Sequence, residues 1–148
     1  MDVTAGTALV LEGRALVAGE AAGELLVASE PLSFWGGYNA DTGEIIDRRH
    51  VLSGLNASGR ILAIPSTRGS STTSAVLLEA IRAGKAPAAI LTSEVDVFLA
   101  LASIVADEMY RTPLPVVALR SDDFRRLRSG VRATVERSGR VRLGGGPI

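Results

Sequence analysis

The chain predicts an α/β domain in which a central parallel βαβαβ unit is flanked by β-hairpins. Three observations carry this. Apolar runs of strand length alternate, between residues 61 and 119, with segments of roughly 12 residues at helical spacing. Glycine-punctuated strand-like runs stand at both ends. The core is aliphatic, because 47% of residues are apolar and only 4% aromatic. A length of 148 residues suits one domain that buries roughly 70% of its unfolded surface. With no internal repeat or linker, residues 1–148 are read as that domain.

In order, Ala8–Glu12 and Ala15–Val17 bracket Gly13-Arg14, and Leu25–Ala28 follows Gly19–Glu24. These read as short strands with glycine turns, either a hairpin or the start of a small barrel. Residues 29–58 have no clear period and hold Phe34, Trp35 and Tyr38, which form a small core or meet a partner or ligand. His50, after Asp47-Arg48-Arg49, reads as a hydrogen-bonded loop residue. Ile61–Ile64 is a strand buried on both faces, ended by Pro65. Helical spacing follows, with Ala75, Leu77, Leu78 and Ile81 as the expected buried stripe and Gly84 as the C-cap. Ala86–Thr92 carries the next strand. Val95 to about Met109 is a second helix, with Val95, Phe98, Leu99, Ala102, Val105 and Ala106 inward and Asp96 in its first turn. Val116–Leu119 is the third strand of the unit. Ser121–Leu127 gives a short helix, and Val131–Val135 with Val141–Leu143 a hairpin turned at Ser138-Gly139.

Charge narrows the function classes. Sixteen basic and sixteen acidic residues cancel, so no global field draws nucleic acid or an anionic membrane. Residues 120–142 hold eight arginines against three acids, a segment that reads as a solvated face, or else as one that meets an acidic partner or helps draw an anionic substrate. The absence of cysteine excludes thiol nucleophiles and cysteine-bound zinc or iron–sulfur clusters in this chain. A single histidine excludes a His-based metal site, and excludes a Ser-His-Asp triad not built on His50. No apolar run of about 18 residues and no basic leader is seen, so the expected location is the cytoplasm.

The stretch Ser66-Thr67-Arg68-Gly69-Ser70-Ser71-Thr72-Thr73-Ser74 lies between the buried strand and its helix. It offers free N–H groups of a helix N-terminus, hydroxyls and one guanidinium, which suit a carboxylate or phosphate. A Ser/Thr-rich cap with no ligand explains the same residues equally well. No other stretch assembles a catalytic set. A serine here, Ser70 for instance, has little to activate it beyond Arg68 and the helix dipole, and another chain would have to complete the site.

Several segments together resemble the swivel domain, or small subunit, of the aconitase X family. They are Gly13-Arg14 with Gly19-Glu20-Ala21, Glu30-Pro31-Leu32-Ser33-Phe34-Trp35-Gly36-Gly37, Asp41–Asp47, Arg68-Gly69-Ser70-Ser71-Thr72 and Ala86–Ile90. The likeness runs to about Leu119. It implies a three-layer β/β/α swivelling fold and a hydro-lyase whose large catalytic part is a separate chain or a fused one. It implies Ser70 as the proton acceptor, with Gly69 and Ser71 flanking it. The aconitase pattern has Arg then Glu after the two serines, where Thr72 and Thr73 stand here. Arg68 is therefore the expected carboxylate-binding cation, with Gly69, Ser71 and Thr72 beside it. The resemblance also implies that this chain carries no cofactor and that the large subunit holds an iron–sulfur cluster. Its substrate is a hydroxy acid. The arginine-rich, single-lysine composition, bacterial rather than archaeal in style, favours cis-3-hydroxy-L-proline over phosphomevalonate. A non-catalytic anion-binding or scaffolding subunit is the contrasting class. A phosphotransfer swivel domain needs a histidine after Thr92, and none stands between Thr92 and Ala106.

Overall fold

The computed structural model describes residues 8–68 and 72–144. Its strands are β1 (Ala8–Glu12), β2 (Arg14–Val17), β3 (Ala21–Val27), β4 (Ile61–Ala63), β5 (Ala89–Thr92), β6 (Val116–Ala118), β7 (Arg132–Val135) and β8 (Arg140–Gly144). Its helices are α1 (Thr72–Arg82), α2 (Val97–Tyr110) and the short α3 (Ser121–Phe124). Strand order is β1-β8-β7-β3-β4-β5-β6-β2. As expected, β4, β5 and β6 are parallel neighbours, with α1 and α2 as the crossovers.

The order of strands conceals a fold in the sheet. Strand β3 pairs antiparallel with β7 through Ala21–Glu24, then parallel with β4 through Leu25–Val27. The N-terminal run splits in the same way, β1 pairing with β8 and β2 with β6. This corrects the expected N-terminal hairpin: β1 and β2 are two arms of one bent strand and do not pair with each other. Gly13 sits at the bend and donates its N–H to the Gly139 carbonyl at 3.1 Å. A Cβ there would lie 2.4 Å from Val117 Cγ1 and 2.7 Å from that carbonyl, so only glycine fits. The C-terminal hairpin β7–β8 forms as expected.

Two bent strands shared by two sheets give three layers, and side-chain alternation fills them. From β4, Ile61 and Ala63 point between the sheets, where they meet Leu11, Leu25, Leu91, Val117, Val135 and Leu143. Leu62 and Ile64 point the other way, toward Leu77, Leu99, Ala102, Phe34 and Ile45. Both faces of β4 and β5 are thus buried, which explains their uninterrupted apolar runs. The arginines of the C-terminal segment lie on the outer surface, several in ion pairs: Arg140 with Glu12 at 2.9 Å, Arg142 with Glu136, and Arg125 with Asp122. That agrees with a solvated face.

The helices adjust two expectations. On α1 the buried residues are Thr73, Leu77, Ala80 and Ile81, while Ala75 is exposed and Leu78 half-buried. Thr73 and Ala80 thus take the buried places expected of Ala75 and Leu78. Gly84 (φ 72°) ends α1 with the double bond of a Schellman motif, Lys85 N–H to the Ala80 carbonyl at 2.8 Å and Gly84 N–H to Ile81 at 3.1 Å. On α2 the buried face is Leu99, Ala102, Ser103 and Ala106, and Val95 is exposed. Ser103 replaces an aliphatic contact by clasping Leu114, its hydroxyl donating to the Leu114 carbonyl at 2.6 Å and accepting the Leu114 N–H at 2.7 Å.

Residues 28–60 turn out to be the crossover between the parallel strands β3 and β4, made without a helix. A parallel connection must return over one face of the sheet. That is why this loop packs its own buried residues, Leu32, Phe34, Tyr38, Ile45, Leu52 and Ala57, beside α1 on the helix face. Among the described residues, no helix is long and apolar enough to cross a membrane.

Candidate functional site

Parallel strands in an open α/β sheet expose their carboxyl ends at one rim, where ligands usually bind. Here the rim is built by residues 28–34 after β3, 64–68 after β4 and 92–96 after β5. The loops are tied together. The Pro65 carbonyl accepts the N–H groups of Ser93 and Glu94, each at 3.2 Å. Leu32 N–H donates to the Ser66 carbonyl at 3.3 Å, and Arg68 N–H to the Leu32 carbonyl at 3.0 Å. The parallel pairing of β3 and β4 thereby resumes as a Leu32–Thr67 bridge beyond the strands proper.

Asp96 completes the frame. It is the N-cap of α2 rather than a residue of its first turn, with Oδ1 accepting the N–H groups of Phe98 and Leu99 at 3.1 and 3.2 Å. Its other oxygen accepts the Thr67 N–H at 2.7 Å and the Thr67 hydroxyl at 2.6 Å. A carboxylate only 7% exposed is thus satisfied by four donors, two from the first turn of α2 and two from Thr67. Ser74 adds a further tie, its hydroxyl donating to the Phe98 carbonyl at 3.0 Å and joining the first turns of α1 and α2.

These ties leave Arg68 exposed, directly ahead of helix α1, which opens at the exposed Thr72. Of the expected site residues, the structure thus describes Arg68 and Thr72. Gly69, Ser70 and Ser71 lie outside the described residues. Thr67 anchors the loop, although little in the sequence sets it apart from the neighbouring hydroxyl residues. Its only signal is a hydroxyl residue shortly before a cation.

A second polar pair adjoins the rim. His50 is buried, 6% exposed, and its Nδ1 accepts the Leu52 N–H at 3.1 Å. The ring proton therefore sits on Nε2, which is 3.8 Å from Glu30 Oε1 and has no hydrogen-bond partner among the described residues. Glu30 Oε1 in turn accepts the Val51 N–H at 2.9 Å. The expectation of a hydrogen-bonded loop histidine holds for Nδ1.

The aromatics separate into two roles. Phe34 and Tyr38 are buried and stacked, with ring centroids 5.0 Å apart. Burial pushes the Tyr38 phenol above its ordinary value, and it stays a donor to the Lys85 carbonyl at 2.7 Å. Trp35, between them, is 69% exposed. It borders an open groove of about 480 Å³ whose other wall is Ala75, Val76 and Glu79 of α1. A hydrogen bond from the Arg82 guanidinium holds the Glu79 carboxyl below the usual carboxylate range. Among the described residues, no three His, Cys, Asp or Glu side chains gather as metal ligands would.

The same chain is similar throughout to proteins of one kind. A family model described as the aconitase X swivel domain matches residues 10–143. A cis-3-hydroxy-L-proline dehydratase of Pseudomonas aeruginosa is 57% identical over 106 residues, which are 72% of this chain and 18% of that protein. The chain thus spans about a fifth of that relative's length. A phosphomevalonate dehydratase small subunit of Thermococcus onnurineus is 36% identical over 126 residues, 85% of this chain and 91% of that one. The crystal structure of Thermococcus kodakaraensis aconitase X, holo-form, superposes with a TM-score of 0.82 at 33% identity, covering 91% of this chain and 98% of that one.

Proposed function

The chain belongs to the aconitase X swivel-domain family, and from that premise we propose that it is the small subunit of a two-subunit hydro-lyase, inactive alone. Its 148 residues form one swivel domain, and the enzyme works in the cytoplasm. The substrate is cis-3-hydroxy-L-proline, supported by the 57% identity to the dehydratase of that name. Phosphomevalonate is the second reading, supported by small subunits that this chain matches over nine-tenths of their length.

In this reading Ser70, as alkoxide, takes the proton from the carbon beside the substrate carboxylate. The C–H electrons become the new C=C bond. The C–O bond breaks with its electron pair on oxygen, and the departing hydroxide becomes water by taking up one proton from solvent, while Ser70 keeps the proton drawn from carbon. Arg68 binds the substrate carboxylate, and Gly69, Ser71 and Thr72 line the same side. The observation that supports this best is the anchoring of Arg68. Leu32 and Asp96 brace the loop from both sides, which fixes the backbone from which the exposed Arg68 projects ahead of α1. This chain, having no cysteine, offers no ligand set for an iron–sulfur cluster. The proposed cluster belongs to the large subunit, where it would supply Lewis acidity toward the leaving hydroxyl.

The test is assembly with the large subunit and assay on both substrates. Ser70→Ala should lower turnover by roughly 10²–10⁴-fold while the complex still forms, as loss of a general base does. Unchanged turnover would remove Ser70 from the chemistry and favour a scaffolding subunit. Dehydration by this chain alone would overturn the two-subunit reading.

A further inference from the structure

We infer that the groove between Trp35 and helix α1 is the docking site of the large catalytic polypeptide, with Trp35 as its anchor. The inference rests on the two-subunit reading above and adds the surface on which the subunits meet.

Three observations select this face. First, both walls of the groove follow closely in the chain on residues of the candidate rim. Its α1 wall, Ala75 and Val76, begins three residues after Thr72, and its other wall follows Leu32, which is bonded to both Ser66 and Arg68. A polypeptide that completes the surroundings of Arg68 thus has these walls as near neighbours in the chain. Second, Trp35 is an exposed aromatic on a fixed mount. Its neighbours Phe34 and Tyr38 are stacked in the core, and its own carbonyl accepts the Ser33 hydroxyl at 3.0 Å. The backbone that carries the indole therefore loses little freedom on binding, while tryptophan is the residue type most enriched among interface anchors. Third, similar proteins carry the matching segment as part of a much longer chain. The matched part of the Pseudomonas aeruginosa relative is 18% of its length, leaving roughly four-fifths outside.

The chemistry of the occupant follows from the lining. Trp35, Ile46, Ala75 and Val76 are apolar, and the one carboxylate, Glu79, is already paired with Arg82. The groove thus fits an aliphatic or aromatic segment of the large subunit, not a basic peptide. The exposed stripe Val97, Leu101 and Ile104 on α2 is the competing face.

Trp35 is the only tryptophan, so 5-fluorotryptophan incorporation gives one ¹⁹F resonance that reports this groove. The labelled chain is titrated with the unlabelled large subunit, and assembly is followed separately by size-exclusion chromatography. On assembly the resonance should shift and lose its H₂O/D₂O solvent shift. Trp35→Ala should weaken assembly at least tenfold, whereas Val51→Ala, equally exposed at 69%, should stay within twofold. Assembly with an unchanged resonance, or weakening by Leu101→Ser but not by Trp35→Ala, overturns the inference and leaves the two-subunit reading standing. Failure of the unaltered chains to assemble overturns both.

Discussion

Asp96 Oδ2 accepts both the backbone N–H and the hydroxyl of Thr67, at 2.7 and 2.6 Å, while its Oδ1 caps helix α2. One carboxylate thereby sets the position of the Arg68 loop relative to a helix 29 residues further along the chain.

Asp96→Asn separates these two duties. The amide oxygen can still cap α2, but the NH₂ group would face the Thr67 N–H, donor against donor. We expect a loss of about 2 kcal/mol in urea unfolding, the scale of a buried donor left unsatisfied. Turnover of the assembled enzyme should fall as well, since the loop is freed. Thr67→Val, which removes one of the two donors, should cost about 1 kcal/mol. Stability equal to the unaltered chain in both variants would show that the tie is not needed.

Arg68 is exposed and its side chain is not part of the core. Arg68→Gln should leave the thermal midpoint within a degree or two. KM should rise roughly ten- to a hundredfold, the value of one charge-assisted contact of about 1.5–3 kcal/mol. A KM that does not move would exclude Arg68 from substrate binding.

Two glycines should respond differently to alanine. At Gly84 the φ of 72° is adverse but the space is open, so Gly84→Ala should cost about 1 kcal/mol. At Gly13 the added Cβ meets Val117, the Gly139 carbonyl and Leu119, all under 3 Å. Gly13→Ala should cost about 3 kcal/mol or more, because both sheets must move apart. Chemical denaturation of the two variants ranks them, and equal losses would contradict the bent-strand seam.

Tyr38 makes alkaline stability testable. Burial raises its folded value above the ordinary 10.0. Up to about pH 9 both folded and unfolded phenols are neutral, and the contribution is fully present. Above that, the unfolded phenol ionises while the buried one holds its proton, so stability falls by up to about 1.4 kcal/mol per pH unit. Tyr38→Phe should lose about 1 kcal/mol at neutral pH with its hydrogen bond, yet show a shallower decline between pH 10 and 11. Urea midpoints across pH 8–11 measure both, and identical alkaline slopes would show that Tyr38 does not hold its proton there.

What the sequence disclosed depended on the range of the interaction that decides each feature. The parallel unit was legible because Ile61–Ile64, Ala89–Thr92 and Val116–Leu119 are apolar on both faces, a local pattern. The pairing of β1 with β8 and of β2 with β6 was not. Those partners lie more than a hundred residues away, and Gly13-Arg14 looks locally like a turn. The buried stripe of α1 does not follow rank of hydrophobicity: Thr73 and Ala80 are inside and Ala75 is on the groove wall, a register set by tertiary packing. In residues 29–58 the aromatics were visible as a group, but only packing shows that Phe34 and Tyr38 face in and Trp35 out. The same holds for the site. A cation and hydroxyls before a helix can be read from Arg68–Ser74, and the family likeness drew attention to Ser70. The bracing by Leu32 and Asp96 comes from two other loops and has no local signature.

Ala8 and Gly144 are direct partners across β1 and β8. A polypeptide attached at either position would leave the domain from one spot on the outer sheet. A single point of attachment behaves as a hinge pin, constraining where the domain hangs but little of how it turns. Relatives in which the matching segment is nearly the whole chain and relatives in which it is about a fifth of one can therefore share this core unaltered. Joining position 144 to position 8 by a short linker and opening the chain in an exposed turn would give a permuted domain with the same two seams.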